Sequence, residues 1–235
     1  MVFQLTTRIF AFGLLAVSCR KAPVAMAENQ ADPKATEKVD TFSITENRVV
    51  DRIFIRHRGD DLAPDSTGVS NFTIEFVKNT DVVRAFKFSL PYQRETAFWN
   101  VSNEVFTDSA AHVVDRRFFI ASNGFEACGY PQYSLLFYAG PEIELIDRWV
   151  SVSDSGLGTW REFFPVFESG RVGEFRLRMV SSEAVDGPDG ETLIEMSYRD
   201  SVVMRQAGSR WLREAVTLPD VRYRTEVLHE NDYYQ

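Results

Sequence analysis

The sequence predicts an all-β protein with little helix, in which antiparallel sheets form a large sandwich or barrel of roughly a dozen strands. Three observations predict this fold class. Apolar and polar residues alternate with a period of two, which places apolar side chains on one face of a strand and charged side chains on the other. Residues that favour strands, such as Phe, Val, Ile, Tyr and Thr, are common in these runs. Short turn sequences rich in Gly, Asn and Asp separate the runs.

The alternating runs begin after residue 38 and continue almost to the C-terminus. One face of each run is apolar and the other is charged, as expected for antiparallel sheets that pack on one side and meet water on the other. The alternating apolar residues are Phe42 and Ile44; Ile53 and Ile55; Ile74 and Phe76; Phe86, Phe88 and Leu90; Phe175, Leu177 and Met179; and Val221 and Tyr223. The turns that separate the runs lie at residues 58–61, 78–81, 122–124, 139–141, 154–156, 186–190 and 207–209. Two stretches, 103–114 and 142–150, are candidates for short helices.

The N-terminal 27 residues differ in kind from the rest and predict export. Arg8 precedes an apolar run at residues 9–17, and an A-x-A sequence ends at Ala27. A basic start, a short apolar stretch and a small-residue cleavage site are the features of a secretory signal peptide. The apolar run is too short to span a bilayer, which needs about 20 residues. We therefore predict a periplasmic or secreted protein, with a flexible leader at 28–38 and one β-rich domain at 39–235.

Cys19 provides a second possible processing site. It directly follows the apolar run, and the sequence LAVSC resembles the lipobox of bacterial lipoproteins, in which small residues precede a cysteine that becomes lipidated. The match is incomplete, because Ala16 stands where a lipobox usually has leucine. Cleavage before Cys19 would produce a lipid-anchored envelope protein, whereas cleavage after Ala27 would produce a soluble one. The sequence leaves both alternatives open.

The charge of the chain excludes several classes of partner. Residues 1–27 contain three basic and no acidic side chains, so their removal changes the formal net charge from −8 to −11. An acidic surface disfavours nucleic acid, whose phosphates need Lys and Arg, and also disfavours adsorption to anionic lipid. We therefore predict no nucleic acid partner, and membrane contact only through a lipid anchor. A basic protein partner is compatible with this charge.

Cys128 is the only cysteine that remains after cleavage at Ala27, so no intrachain disulfide is expected. A Cys–His pair with His57 or His112 would be a possible nucleophile and base. The Glu-Ala dipeptide before Cys128 does not match the motif of exported cysteine transpeptidases, which have Ser and Gly there. A packed thiol is therefore the favoured interpretation.

The most unusual local sequence runs from Trp149 to Trp160. It contains Asp154-Ser-Gly-Leu-Gly, which predicts a flexible loop with accessible backbone N–H groups between two tryptophans. Aromatic rings beside a polar loop are typical of sites for sugars or partner proteins, and Trp is a common interface anchor. Trp149, Asp154 and Trp160 are therefore the candidate binding residues. A hairpin with both tryptophans in the core is the alternative, and the adjacent Arg161 and Glu162 are expected to pair at the surface.

The chain contains no H-E-x-x-H, C-x-x-C, G-x-S-x-G, P-loop or dinucleotide-binding motif, so neither a cofactor nor a metal is predicted. The acidic loops with Asp60, Asp61 and Asp65, and with Asp186 and Asp189, do not have the spacing of a calcium loop. The predicted function is non-catalytic binding of a glycan or of another envelope or secreted protein, in a bacterial-type envelope. The alternatives are a secreted hydrolase that uses a carboxylate pair on polysaccharide and a structural lipoprotein.

Overall fold

A computed structural model describes residues 38–62, 68–91, 97–124 and 129–234. Strands account for 71% and helices for 2% of this structure, and the sheets are antiparallel, which confirms the predicted all-β class. The predicted signal peptide with Cys19, most of the predicted leader and Cys128 lie outside the described residues.

Fifteen strands and one four-residue helix follow one another along the described chain. They are β1 (Val39–Ser43), β2 (Arg52–Leu62), β3 (Gly68–Lys78), β4 (Asp81–Pro91), β5 (Phe98–Ser102), β6 (Thr107–Asp108), β7 (Val113–Val114), β8 (Phe118–Gly124), β9 (Pro131–Ala139), β10 (Ile143–Asp154), β11 (Leu157–Glu168), β12 (Arg171–Asp186), β13 (Thr192–Ala207), β14 (Arg210–Ala215), β15 (Arg224–His229) and α1 (Glu230–Tyr233). No helix within the described ranges is long and apolar enough to span a membrane.

Neither stretch that was a candidate for a short helix is helical. Residues 103–114 contain the short ribbon of β6 and β7, and residues 142–150 belong mainly to β10. In β10, Leu145 and Asp147 pair with the successive residues Phe137 and Leu136 of β9, with a bulge at Ile146. The bulge shifts the alternation by one residue, which explains why the sequence does not show a clean period of two there.

The strands form a four-stranded sheet in the order β1-β2-β3-β4 and a nine-stranded sheet in the order β14-β13-β12-β11-β10-β9-β8-β5, in which β15 also pairs with β13. The nine-stranded sheet divides between β10 and β11. These two strands pair only from Val152–Thr159 to Asp154–Leu157 beside their turn, whereas β9 pairs along β10 and β12 along β11. Gly158 allows this tight hairpin, because a Cβ there would lie 1.9 Å from the carbonyl oxygen of Val152.

The two halves of the divided sheet pack against each other. The Trp211 ring of β14 lies 5.5 Å from the Tyr138 ring of β9, and the Phe175 ring of β12 lies 5.8 Å from the Phe118 ring of β8. The molecule therefore has three layers. The first layer is β1–β4, the middle layer is β5 with β8–β10, and the third layer is β11–β15.

One hydrophobic core lies on each side of the middle layer. In the first core, the Phe76 ring of the first layer lies 5.0 Å from the Phe137 ring of β9. In the second core, Leu136 and Tyr138 of β9 pack with the third layer. All residues from 134 to 139 are buried, because β9 is covered on both faces. A strand in this position is expected to be continuously apolar rather than alternating.

Candidate functional site

The second core has an apolar end and a polar end. Directly opposed residues on neighbouring strands share one face of a sheet, so each register position across β11, β12 and β13 forms a row. One such row is apolar and contains Phe163 and Leu177. The next row towards the turn between β10 and β11 contains Arg161, Met179 and Arg199. We call the following set the polar end: Asp147 and Trp149 from β10; Thr159 and Arg161 from β11; Met179 and Ser181 from β12; and Ser197 and Arg199 from β13.

Arg161 and Asp147 form an ion pair between the middle and third layers. The Nε and Nη2 atoms of Arg161 donate to Oδ2 of Asp147 at 3.0 and 2.9 Å. The side chains of Arg161 and Asp147 are only 6% and 11% exposed. The third guanidinium nitrogen, Nη1, is buried and has no hydrogen-bond partner in the described part of the chain. The described residues therefore provide no acceptor for one nitrogen of this deeply buried guanidinium group.

Arg199 lies in the same row, with Met179 between it and Arg161. Neighbouring strands are about 4.8 Å apart, so the Cα atoms of the two arginines are separated by about 10 Å. The Nε atom of Arg199 is buried without a hydrogen-bond partner, and none of the described residues forms an ion pair with Arg199. The polar end thus contains two guanidinium groups and a single paired carboxylate, and its local charge is positive although the whole chain is acidic.

Trp149 is the one predicted binding residue that lies at the polar end. Its ring is half-buried and packs edge-on against Phe163, with 5.5 Å between the ring centroids. The indole Nε1 donates to Oγ of Ser151 at 3.1 Å. The ring therefore combines a contact with the second core and a partly exposed surface beside the Arg161–Asp147 pair.

The other two predicted binding residues lie elsewhere. Trp160 lies directly opposite Val180. Its side chain and that of Arg161 project from opposite faces of β11. Asp154 is exposed at the hairpin turn, and its Oδ1 accepts a hydrogen bond from Oγ of Ser155 at 3.1 Å. The structure therefore does not place Trp149, Asp154 and Trp160 on one surface, and a binding role for each stays a prediction.

The C-terminal segment covers the hairpin turn that contains Asp154. The hydroxyl of Tyr233 donates to the carbonyl oxygen of Gly156 at 2.8 Å, and the hydroxyl of Tyr234 donates to that of Ser155 at 3.1 Å. Two carbonyl groups of the turn are therefore already occupied.

Sequence reasoning missed the role of Arg161. It was expected to pair with Glu162 at the surface, but consecutive residues of a strand project to opposite faces. Glu162 pairs instead with Arg178, at 2.6 Å, whereas Arg161 pairs with Asp147 inside. An arginine two residues before the core residue Phe163 was the available signal, because a period of two places both on the same face.

The remaining candidates from the sequence lie apart from the polar end. The His57 Nε2 atom is 2.8 Å from Oδ1 of Asp60, and His112 adopts a positive φ of 53° at a turn. Asp61 accepts a hydrogen bond from Asn71, whereas Asp65 lies outside the described residues. Among the described residues, no group of three or more His, Cys, Asp or Glu side chains is arranged to hold a metal ion.

A second polar surface lies on the outer side of the first layer. It is a depression of about 650 Å³, which we call the outer groove. Two of its donors are directed at neighbouring acceptors: Arg58 Nε at Oγ1 of Thr73, at 3.1 Å, and Ser89 Oγ at Oδ1 of Asn71, at 2.6 Å. Oε2 of Glu75 also accepts from Nε of the adjacent Arg56 at 2.9 Å. The groove is lined by Arg58, Asn71, Phe72, Thr73, Glu75, Lys87, Phe88 and Ser89.

A pair of carboxylates occurs on the same face of β12 and β13 as the two arginines. Glu183 is directly opposite Glu195, one row beyond Ser181 and Ser197. Cβ atoms of directly opposed residues are about 4.5–5.5 Å apart, so the two side chains start from neighbouring positions. Glu195 accepts a hydrogen bond from Nη1 of Arg222 at 2.8 Å, which offsets part of the repulsion.

We compared the chain with protein-family models, with curated proteins and with solved structures, and none of the three comparisons found a match.

Proposed function

We propose that this protein is an exported, non-catalytic component of a bacterial-type envelope that binds a glycan at the polar end. The observation that carries this proposal is the position of Trp149 beside Arg161. A sugar presents an apolar ring face and a rim of hydroxyl groups. A partly exposed indole offers a surface for the ring face, and a small number of placed polar groups fixes the orientation of a ligand.

The chemistry of the polar end agrees with this ligand class. The Nη1 donor of Arg161 is buried and has no acceptor among the described residues, so a ligand oxygen that enters the polar end could accept from it. Thr159 and Ser181, whose hydroxyl oxygens are 3.1 Å apart, supply groups that donate and accept. A buried donor without a partner lowers stability, and a ligand oxygen that accepts from it removes this cost.

The test is a glycan array followed by calorimetry, with the wild type compared with Trp149→Ala and Trp160→Ala. We expect Trp149→Ala to weaken binding by tenfold or more and Trp160→Ala to leave it unchanged, because Trp160 projects from the other side of β11. Near-ultraviolet circular dichroism of both variants checks that they remain folded. Equal losses in both variants, or no bound glycan in the wild type, would contradict the proposal.

Export requires a separate test, because residues 1–37 lie outside the described part of the chain. We expect intact mass spectrometry of protein expressed in a bacterium to give a chain that starts at Glu28 or a lipidated chain that starts at Cys19. The Cys19→Ser variant distinguishes the two, because it removes only the second product. Retention of Met1 together with a cytosolic location would contradict export.

A hydrolase is the second candidate function, and the pairing of Glu183 with Glu195 favours it. Two carboxyl groups about 5–5.5 Å apart are the arrangement that retaining glycosidases use. The test is release of reducing ends from the glycans that the array identifies. Loss of this release in both Glu183→Gln and Glu195→Gln, with glycan binding intact, would establish catalysis in place of simple binding.

A further inference from the structure

We infer that Arg161 and Arg199 together bind an anionic group of the ligand, namely a carboxylate, sulfate or phosphate. This inference rests on the glycan-binding function proposed above and specifies an acidic glycan as its ligand. It is carried by two buried nitrogen atoms, Nη1 of Arg161 and Nε of Arg199, that have no hydrogen-bond partner in the described structure.

The balance of charge is the first argument. Asp147 is the one carboxylate that contacts Arg161, and it does so through a single oxygen atom, Oδ2. Within the described ranges, no carboxylate forms an ion pair with Arg199. Buried charges in proteins are normally paired, because an isolated ion loses its hydration without compensation. Arg161 is thus a buried cation with one counterion, and Arg199 is a half-buried cation with none among the described residues, so the pair leaves room for one more negative charge.

The arrangement of donors is the second argument. Arg161 and Arg199 share one face of the third layer at the same register position, with Met179 between them. Their Cα atoms are about 10 Å apart, and long arginine side chains can reach a common ligand across that distance. The guanidinium group presents several N–H donors in a planar fork that matches carboxylates, sulfates and phosphates.

The neighbouring row provides donors for the remaining oxygen atoms of an anion. Thr159, Ser181 and Ser197 lie next to the arginine row on the same face. A hydroxyl group can donate to an anion or accept from a sugar hydroxyl. The same face thus offers a cationic row for the acidic group and a hydroxyl row for the uncharged part of the sugar.

The outer groove provides a matched control. Arg58 is also an arginine on a strand face, but its Nε donates to Thr73 and its Nη2 lies 3.4 Å from Oε1 of Glu75. Its side chain is 43% exposed, so it is accessible to solvent. Arg58→Met therefore removes the same charge from the chain as Arg199→Met does, without touching the polar end.

The experiment is isothermal titration of the full processed protein with sodium sulfate, glucuronate and glucose at constant ionic strength. The proteins compared are the wild type, Arg199→Met, Arg199→Lys and Arg58→Met. Glucuronate has a carboxylate where glucose has a hydroxymethyl group. The ratio of the two affinities therefore measures how much the anion site contributes to binding. We expect glucuronate to bind the wild type and Arg58→Met at least tenfold more tightly than glucose. We expect this ratio to disappear in Arg199→Met and to be partly retained in Arg199→Lys, which keeps the charge.

The probes separate failure of this inference from failure of the proposed function. Equal binding of glucose and glucuronate by the wild type would preserve glycan binding and overturn the anion site. Saturable sulfate binding that Arg199→Met abolishes, without binding of either sugar, would support the anion site and overturn the glycan function. Absence of binding by all three probes would overturn both.

Discussion

The outer groove and the polar end contain the same kinds of side chain but satisfy them differently. In the outer groove, Glu75 accepts from both Arg56 and Arg58, at 2.9 and 3.4 Å, and these arginine side chains are 28% and 43% exposed. At the polar end, Arg161 is 6% exposed and its Nη1 has no partner among the described residues. Bulk water can complete the first network, whereas the second needs a ligand or an ordered water. An unsatisfied buried donor is therefore a stronger indication of a binding site than a polar groove with a measurable volume.

The two regions should differ most in how much stability they lose when the carboxylate that pairs with arginine is removed. Asp147→Ala leaves Arg161 buried without a counterion, and we expect a loss of about 3–5 kcal/mol in the free energy of unfolding. Glu75→Ala exposes its partners to water, and we expect a loss of about 1 kcal/mol. Urea denaturation followed by tryptophan fluorescence measures both values. Similar losses in the two variants would mean that the buried pair is hydrated after all.

Asp115 shows how a buried charge behaves when all of its hydrogen bonds are made. Its carboxylate accepts from Nε of Arg117 and from the backbone N–H of Val172, both at 2.8 Å. Burial alone would raise the pKa of Asp115, but the hydrogen bonds from Arg117 and Val172 outweigh burial and lower the pKa below its usual 3.8. A lowered folded-state pKa means that stability is present above pH 3.8 and is lost as the pH falls through the folded-state value.

We therefore expect Asp115→Asn to reduce the free energy of unfolding by about 2 kcal/mol at pH 7. The difference between wild type and variant should shrink as the pH falls below the ordinary range of an aspartate, because the wild-type carboxylate then becomes neutral as well. Urea midpoints of both proteins at a series of pH values from 7 to 2.5 measure this dependence. A difference that stays constant over the series would show that the charge of Asp115 is not the cause.

Arg199→Met should stabilise the unliganded protein by about 1 kcal/mol, because it replaces a half-buried cation, whose buried Nε has no hydrogen-bond partner among the described residues, by an apolar side chain of similar length. Arg58→Met should give no such gain, since Arg58 has partners and is partly hydrated. A stability gain together with loss of ligand binding is the expected trade-off at a functional site. Thermal unfolding of the two variants without ligand measures it, and destabilisation by Arg199→Met would assign Arg199 a structural role.

The alternation of residues predicted the strands of the first layer well. Ile53 and Ile55, and Ile74 and Phe76, alternate in the sequence and lie in the first core as expected. The β9 strand was not among the alternating runs, because it is buried on both faces and residues 134–139 do not alternate. Burial on both faces depends on the stacking of layers, which no local pattern reveals.

The polar end could not be predicted from the sequence, because its geometry depends on where β10 and β11 stop pairing and separate. If the register at Val152–Thr159 continued, Arg161 would be opposite Val150, and Asp147 would project from the other face. The same register would place Trp160 opposite Ser151, close to Trp149. The strands separate instead, and their twist turns Asp147 and Arg161 into the space between the layers. The Trp149 ring packs against Phe163 rather than beside Trp160, and its binding role stays a prediction.

The smallest expected effects on stability and binding come from removing a single hydroxyl group in each of the two regions. Ser89 donates to Oδ1 of Asn71 in the outer groove at 2.6 Å, and Ser181 interacts with Thr159 at the polar end at 3.1 Å. We expect Ser89→Ala and Ser181→Ala each to change the free energy of unfolding by about 0.5 kcal/mol, because each loses one partly hydrated hydrogen bond. Only Ser181→Ala should also weaken glycan binding, since water can replace Ser89 but the Ser181 hydroxyl is next to the arginine row. Urea denaturation and calorimetric titration of both variants check this, and an equal effect on binding would place the ligand outside the polar end.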